Sequence, residues 1–267
     1  MMIRSALLVF AASLAVLAAS SCTTILNSGQ FGHDAVVPPP IAADAKNAGE
    51  TMAFLGGSFA KGNLYETDHN YFGQAGLLRS WRIDKEPILF DGHAAASGWY
   101  GAAKLNDQGE VSYSPSVAEP FAFYGGSAQA EADIGFRLGS RVVLDSGIRG
   151  SIAYEDGPYR AFRAVAQGVY DSETIVNACS SGWSGNTAFD LAVSISPNNS
   201  VGMRFGVLAG NAISDLPGYF ASAEGASDIF FCQTSASLRV DSFVVSGAYN
   251  WNIFNSGFSA SIGYILP

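Results

Sequence analysis

From residue 51 onward, apolar and polar residues alternate in short runs of period two, separated by clusters of Gly, Pro, Asn, Asp and Ser. Alternation of that kind marks half-buried β-strands, whereas an amphipathic helix needs a 3.6-residue stripe. The pattern predicts strands near 51–60, 70–82, 88–104, 120–138, 141–154, 161–171, 185–196, 200–210, 228–240, 242–252 and 256–266. In 242–252, Phe243, Val245, Gly247, Tyr249 and Trp251 oppose Val244, Ser246, Ala248, Asn250 and Asn252. In 185–196, Phe189, Leu191, Val193 and Ile195 oppose Ala188, Asp190, Ala192 and Ser194. In 256–266, Phe258, Ala260, Ile262, Tyr264 and Leu266 oppose Gly257, Ser259, Ser261 and Gly263.

A soluble β-sandwich shows the same alternation with its apolar faces turned inward, so the chemistry of the polar face has to discriminate. Here that face is mostly Ser, Gly, Ala and Asn, interrupted by charges of both signs: Glu131, Asp133, Arg137, Arg141, Asp145, Arg149, Asp190, Arg204 and Arg239. Mixed charges among small residues suit a crowded, wet interior. The four lysines, Lys46, Lys61, Lys85 and Lys104, all precede residue 105, although the later strands would need solvated faces in a soluble protein. Phe243 and Trp251 share a face eight residues apart. That is roughly 26 Å along a strand and roughly 20 Å along the normal of a tilted one, close to the height of the apolar band of a membrane barrel.

The amino terminus adds a compartment. Arg4 precedes an apolar run over 6–19 and then Ser20, Ser21 and Cys22, the layout of a secretory signal. The run is shorter than the roughly 20 residues of a spanning helix. The stretch Ala19-Ser20-Ser21-Cys22 resembles a bacterial lipoprotein signal, with Ala in place of the usual Leu. The resemblance implies acylation of Cys22 after removal of residues 1–21; simple secretion with cleavage elsewhere is the alternative. Residues 22–50, with Pro38, Pro39 and Pro40, read as a flexible tether with a stiff centre, leaving 51–267 as one β-domain.

In pattern, 51–267 resembles bacterial outer-membrane β-barrels, whose last strand ends in an assembly signal. Ser261, Gly263, Tyr264 and Leu266 follow the first part of that signal, but the chain ends in Pro267 instead of an aromatic. The resemblance implies an all-β, closed, antiparallel up-and-down barrel of about ten to twelve strands that crosses the outer membrane, with membrane lipid around it. With the carboxy terminus on the periplasmic side, counting strands backwards puts 252–255, 211–227 and 171–185 outside, and the short turns at 196–199 and 240–241 inside. Both chain ends then lie on the periplasmic side, where a lipid on Cys22 would hold the amino end. Cys179 and Cys232 fall at the outer end, and an oxidising compartment favours a disulfide between them.

Candidate chemistry is sparse. His33, His69 and His93 have no metal-ligand spacing, no glycine-rich phosphate loop or CxxC pair is present, and no cofactor is expected. Asp68-His69 could be half of an acid–base pair, but no nucleophile accompanies it. The net charge of −9 gives a nucleic-acid partner no electrostatic support, and none is expected. The expectation is a non-catalytic outer-membrane (lipo)protein with a structural, adhesive or passive-transport role and an envelope or surface protein as a possible partner. The alternative is a soluble, lipid-tethered β-sandwich or small barrel that binds a ligand or partner.

Overall fold

Ten strands of the computed structural model hydrogen-bond side to side until the last meets the first. The structure describes residues 24–26, 49–61, 68–105, 120–167, 174–176, 181–196, 198–210, 230–251 and 256–267. In chain order the elements are β1 (Thr24–Leu26), β2 (Gly49–Lys61), β3 (Asp68–Lys85), β4 (Ile88–Leu105), β5 (Phe121–Leu138), β6 (Val142–Asp156), α1 (Pro158–Gln167) and β7 (Thr174–Val176). They continue with β8 (Ser181–Ser196), β9 (Asn199–Gly210), β10 (Phe230–Val240), β11 (Phe243–Trp251) and β12 (Ser256–Leu266). All neighbours in the barrel are antiparallel, and β12 pairs with β2 from Ser256–Lys61 to Leu266–Thr51, which closes the sheet. A sandwich of two sheets is thereby excluded. The signal segment, Cys22 and His33 lie outside the described residues.

The barrel's strands are staggered. Walking across the ladder from Gly57 passes through Ala260, Gly247, Ala236, Met203, Leu191, Leu144, Phe136 and Ile88, and reaches Lys85 at the extreme end of β3. The slip is about 12 residues per circuit, which tilts the strands by roughly 40° and gives a backbone radius of roughly 10 Å. At one end, β3, β5, β8 and β10 turn tightly into their successors. Gly139, Asn198 and Asp241 adopt left-handed backbone there, as residues of these types do in short hairpins. At the other end the connections are longer, at 62–67, 106–120, 157–180, 211–229 and 252–255.

One expected strand is a helix. Residues 161–171 contain enough Ala, Val and Tyr to pass for a strand, yet α1 occupies 158–167. Pro158 suits the first helical position, Ala161, Ala164 and Ala166 favour the conformation, and the Ala161 amide donates to the Gly157 carbonyl over 3.1 Å. Tyr159, Phe162 and Arg163 fall on one side and are buried. Removing this strand from the eleven expected leaves the even number that a barrel with both chain ends on one side requires.

The faces sort by period two throughout. Outward stand Leu55, Leu77, Ile134, Ile148, Ile152, Leu191, Met203, Val245 and Ile262 around the middle, all exposed. Aromatic rings ring both margins of this belt. Trp81, Phe90, Phe136, Phe243 and Tyr264 lie toward the tight turns, and Phe59, Tyr71, Tyr100, Tyr124, Tyr154, Tyr249 and Phe258 toward the long connections. Rings pair across strands, Phe243 with Tyr264 at 5.2 Å and Phe59 with Tyr71 at 5.2 Å. Trp81 lies across Gly92, where an added Cβ would come within 2.3 Å of the indole.

Candidate functional site

Inward-facing positions carry the polar and charged residues, so the candidate site is the lumen, built from the same alternation that makes the outer belt apolar. Next to the tight turns, Arg239 on β10 grips Glu50 on β2 with two hydrogen bonds of 2.7 and 2.9 Å. Arg137 on β5 donates to Asp84 on β3 over 2.8 Å. Arg82 makes a two-point contact with its neighbour Asp91. Two small apolar clusters, Met52, Phe54, Leu78, Ala95 and Val244, and Leu89, Val143 and Ala192, pack beside these pairs.

At mid-height Arg204 on β9 is held on two sides. Its guanidinium donates to Asp190 over 2.6 and 2.7 Å and to Glu131 over 2.5 and 3.2 Å. Glu131 is on β5, so this bond spans the lumen past β6 and β8. Arg149, the register partner of Glu131, donates to Gln233 over 3.0 Å, and the Gln233 amide donates to Asn250 over 2.8 Å. These cross-lumen bonds brace the barrel from inside. Each ion is also desolvated, a cost that only close pairing offsets.

Asp133 is the exception within this tier. Its carboxylate leans over Gly147, where an added Cβ would meet Oδ1 at 1.7 Å, and among the described residues neither oxygen has a hydrogen-bond partner. His93 Nε2 stands 3.7 Å away, while His93 Nδ1 shares a 2.8 Å hydrogen bond with Ser80. Glu131, Asp133 and Asp190 bring carboxylate oxygens within 4.8 Å of one another, but the Arg204 guanidinium already binds two of the three. The cluster is an ion-pair node.

Toward the long connections, aromatic side chains of α1 pack against one sector of the inner wall. Side chains of α1, Tyr159 and Phe162, join Phe72, Trp99, Ala103, Phe121 and Phe123 from the inner walls of β3, β4 and β5. Phe121 and Phe162 stack at 4.7 Å. Arg163, fully buried, pairs with Glu155 and lies 4.8 Å over the Tyr159 ring.

Of the charges expected to face inward, Glu131, Asp133, Arg137, Asp145, Arg149, Asp190, Arg204 and Arg239 occupy inward positions of their strands. Arg141 does not: it falls in the turn between β5 and β6 and is exposed, because the strand starts at Val142. Glu50, Arg82, Asp84, Asp91, His93, Glu155 and Arg163 were not anticipated. Arg82, Asp91 and His93 fall within expected strands and could have been read from the alternation; Glu50 and Glu155 lay one residue, and Asp84 two residues, outside theirs, and Arg163 lay inside the misassigned helix. His69 faces outward beside Phe59, ring to ring at 5.7 Å, which gives an acid–base role no support. The expected disulfide is not formed: Cys232 is a free thiol. It points to the outer face of β10, between register partners Val207 and Trp251, and Cys179 lies outside the described residues.

The sequence matches no family model and no curated protein. Among solved structures it is similar to the translocator domain of the autotransporter NalP from Neisseria meningitidis, at 9% identity, 81% of this chain, 87% of that one and a TM-score of 0.43. It is also similar to the transport unit of the autotransporter AIDA-I from Escherichia coli, at 10% identity, 80% and 89% coverage and a TM-score of 0.42. A third similarity is to the outer membrane protein OprG from Pseudomonas aeruginosa, at 10% identity, 84% and 98% coverage and a TM-score of 0.36.

Proposed function

We propose that this chain is a non-catalytic barrel of the bacterial outer membrane whose role is structural or adhesive, a rigid wall that holds its long connections at the cell surface. One observation carries the membrane reading: an apolar belt faces out, and most of the charges on the strands face in. A soluble protein rarely leaves an apolar patch larger than a few hundred Å² in water, and here the belt runs all round the barrel. Its margins carry aromatic rings, which favour the two membrane–water interfaces. Closure leaves the ten barrel strands without an open edge, the condition for strands in lipid.

The cross-lumen bonds favour scaffolding over passive transport. A solute would have to part Arg204 from Glu131, Arg149 from Gln233 and α1 from the wall before it could pass. Carbonate extraction and the heat shift on a detergent gel test the membrane reading: an integral closed barrel resists extraction and changes mobility only on boiling. Carbonate release with no heat shift refutes it. In planar bilayers the intact protein should conduct far less than an open porin, and large steady conductance would restore the transport role.

A further inference from the structure

We propose that Arg79 and Thr51, on the lipid-facing side of β3 and β2, form a binding site for the phosphodiester headgroup of an anionic phospholipid in the periplasmic leaflet. Among the described residues, Arg79 is the one charged side chain at an outward strand position between the two aromatic margins. Lys85, Lys104 and Asp156 also face outward, but they lie beyond Trp81, Tyr100 and Tyr154 of their own strands. Arg79 is exposed and sits between Leu77 and Trp81 on the same face of β3, roughly 5 Å from the tight-turn margin toward the middle of the belt. Short turns mark the periplasmic end of membrane barrels, so this margin belongs to the periplasmic leaflet. An arginine on the lipid face is costly at mid-bilayer and nearly neutral at the interface, and its charge therefore calls for a counterpart close to that margin.

The side chain is posed toward the headgroups. Its Nη1 donates to Oγ1 of Thr51, the register partner on β2, over 2.8 Å, and its Nη2 lies where a Cβ added to Gly49 would come within 2.8 Å. Gly49 begins β2 at the tight-turn end. The guanidinium thus reaches across β2 and down toward the interface, as long cationic side chains do in membranes. It has five N–H donors, yet Arg79 makes no other hydrogen bond and no ion pair among the described residues. Lipid tails offer no acceptor, whereas two oxygens of one phosphate fit the planar fork. The fork also stays uncovered, because Gly49 has no side chain and the Trp81 indole leans the other way, across Gly92.

Charge and relief select the lipid. No outward position of β2, β3 or β4 carries a carboxylate, so the ammonium of a zwitterionic headgroup finds no partner here. Lys85, farther along the same face of β3, adds to the positive field that draws anionic headgroups. On the other side of Arg79, toward the middle of the belt, the outer wall is low: Ala94 is its register partner on β4, and Ala96, Gly98 and Ala75 follow. These small residues leave a smooth bed along which an acyl chain can lie once its phosphate is held.

The proposal rests on the membrane reading, which the heat shift of the unmodified protein tests separately. The full chain in detergent is titrated with phosphatidylglycerol or with phosphatidylcholine, and bound lipid is counted by native mass spectrometry. Retention of phosphatidylglycerol in preference to phosphatidylcholine is expected. Arg79→Gln should weaken that binding about tenfold, the loss of a charge-assisted contact, with the heat shift preserved. Arg79→Lys keeps the charge without the fork and should weaken it about threefold. If Arg79→Gln no longer shifts on heating, Arg79→Lys decides in its place. Excess inorganic phosphate should leave the lipid bound, because the acyl chain also holds it; displacement would make this a free-phosphate site and overturn the lipid assignment. Equal retention of the two lipids, or parent-like binding by the deciding variant, overturns the proposal.

Discussion

Arg204→Met removes the cation at the centre of the barrel while keeping most of the side-chain volume. The side chains of Glu131 and Asp190 are 1% and 14% exposed, so both carboxylates lose their partner where water cannot fully replace it. Removing one member of a buried ion pair costs about 3–5 kcal/mol. With a urea dependence of about 1–3 kcal/mol per molar, the unfolding midpoint should fall by about 2 M, read from the fraction of heat-shifted band after equilibration in urea and detergent. The double variant Arg204→Met, Asp190→Asn discriminates mechanism from mere damage. It leaves Glu131 beside its register partner Arg149, a balanced pair, and should recover at least half of the loss. A midpoint within about 0.3 M of the parent for the single variant, or a double variant no better than the single, would refute the idea that charge balance in the lumen stabilises the barrel.

Asp133→Asn should raise the same midpoint, because the carboxylate has no hydrogen-bond partner and sits among like charges; a gain of about 1–2 kcal/mol is expected after Arg204 offsets part of the repulsion, and a loss would show that Asp133 is needed. Ile148→Arg, on the outer face in mid-strand, should cost about 2–4 kcal/mol and deplete the extracted membrane fraction, whereas Val240→Arg beside a tight turn should cost less than about 1 kcal/mol; equal effects would disprove the depth assignment. Phe162→Ala should lower stability by about 3–5 kcal/mol and expose α1 to added protease with the strand signal in far-ultraviolet dichroism unchanged. Protein purified without reductant should take up one lipid-soluble maleimide at Cys232, as mass analysis after digestion can check; failure to label means the thiol is blocked.

Much of the barrel was legible because a sheet with one apolar face repeats its message every second residue. Phe243 to Trp251, Phe189 to Ile195 and Phe258 to Leu266 each declare a face without any knowledge of their neighbours. The helix was missed because Ala, Val and Tyr over 161–171 pass for a strand run, although Tyr159, Phe162 and Val165 are spaced by three and the Pro158 start and the alanines also favour α1. The bonds of the lumen were hidden for a different reason. Arg204 and Glu131 are 73 residues apart, Arg149 and Gln233 84, and Arg239 and Glu50 189, and their meeting depends on barrel radius and stagger. A face can be read from one strand, but a partner across the lumen needs all ten.

The seam between β2 and β12 sets a condition on how the protein is made. Until its last residues exist, β2 has no neighbour on one side, and every shorter nascent chain carries two raw edges ready to pair with any other strand. The seam also joins positions about 200 residues apart, and contacts so distant in sequence form slowly. The wall cannot be built course by course during synthesis. The cylinder closes only when both ends are present.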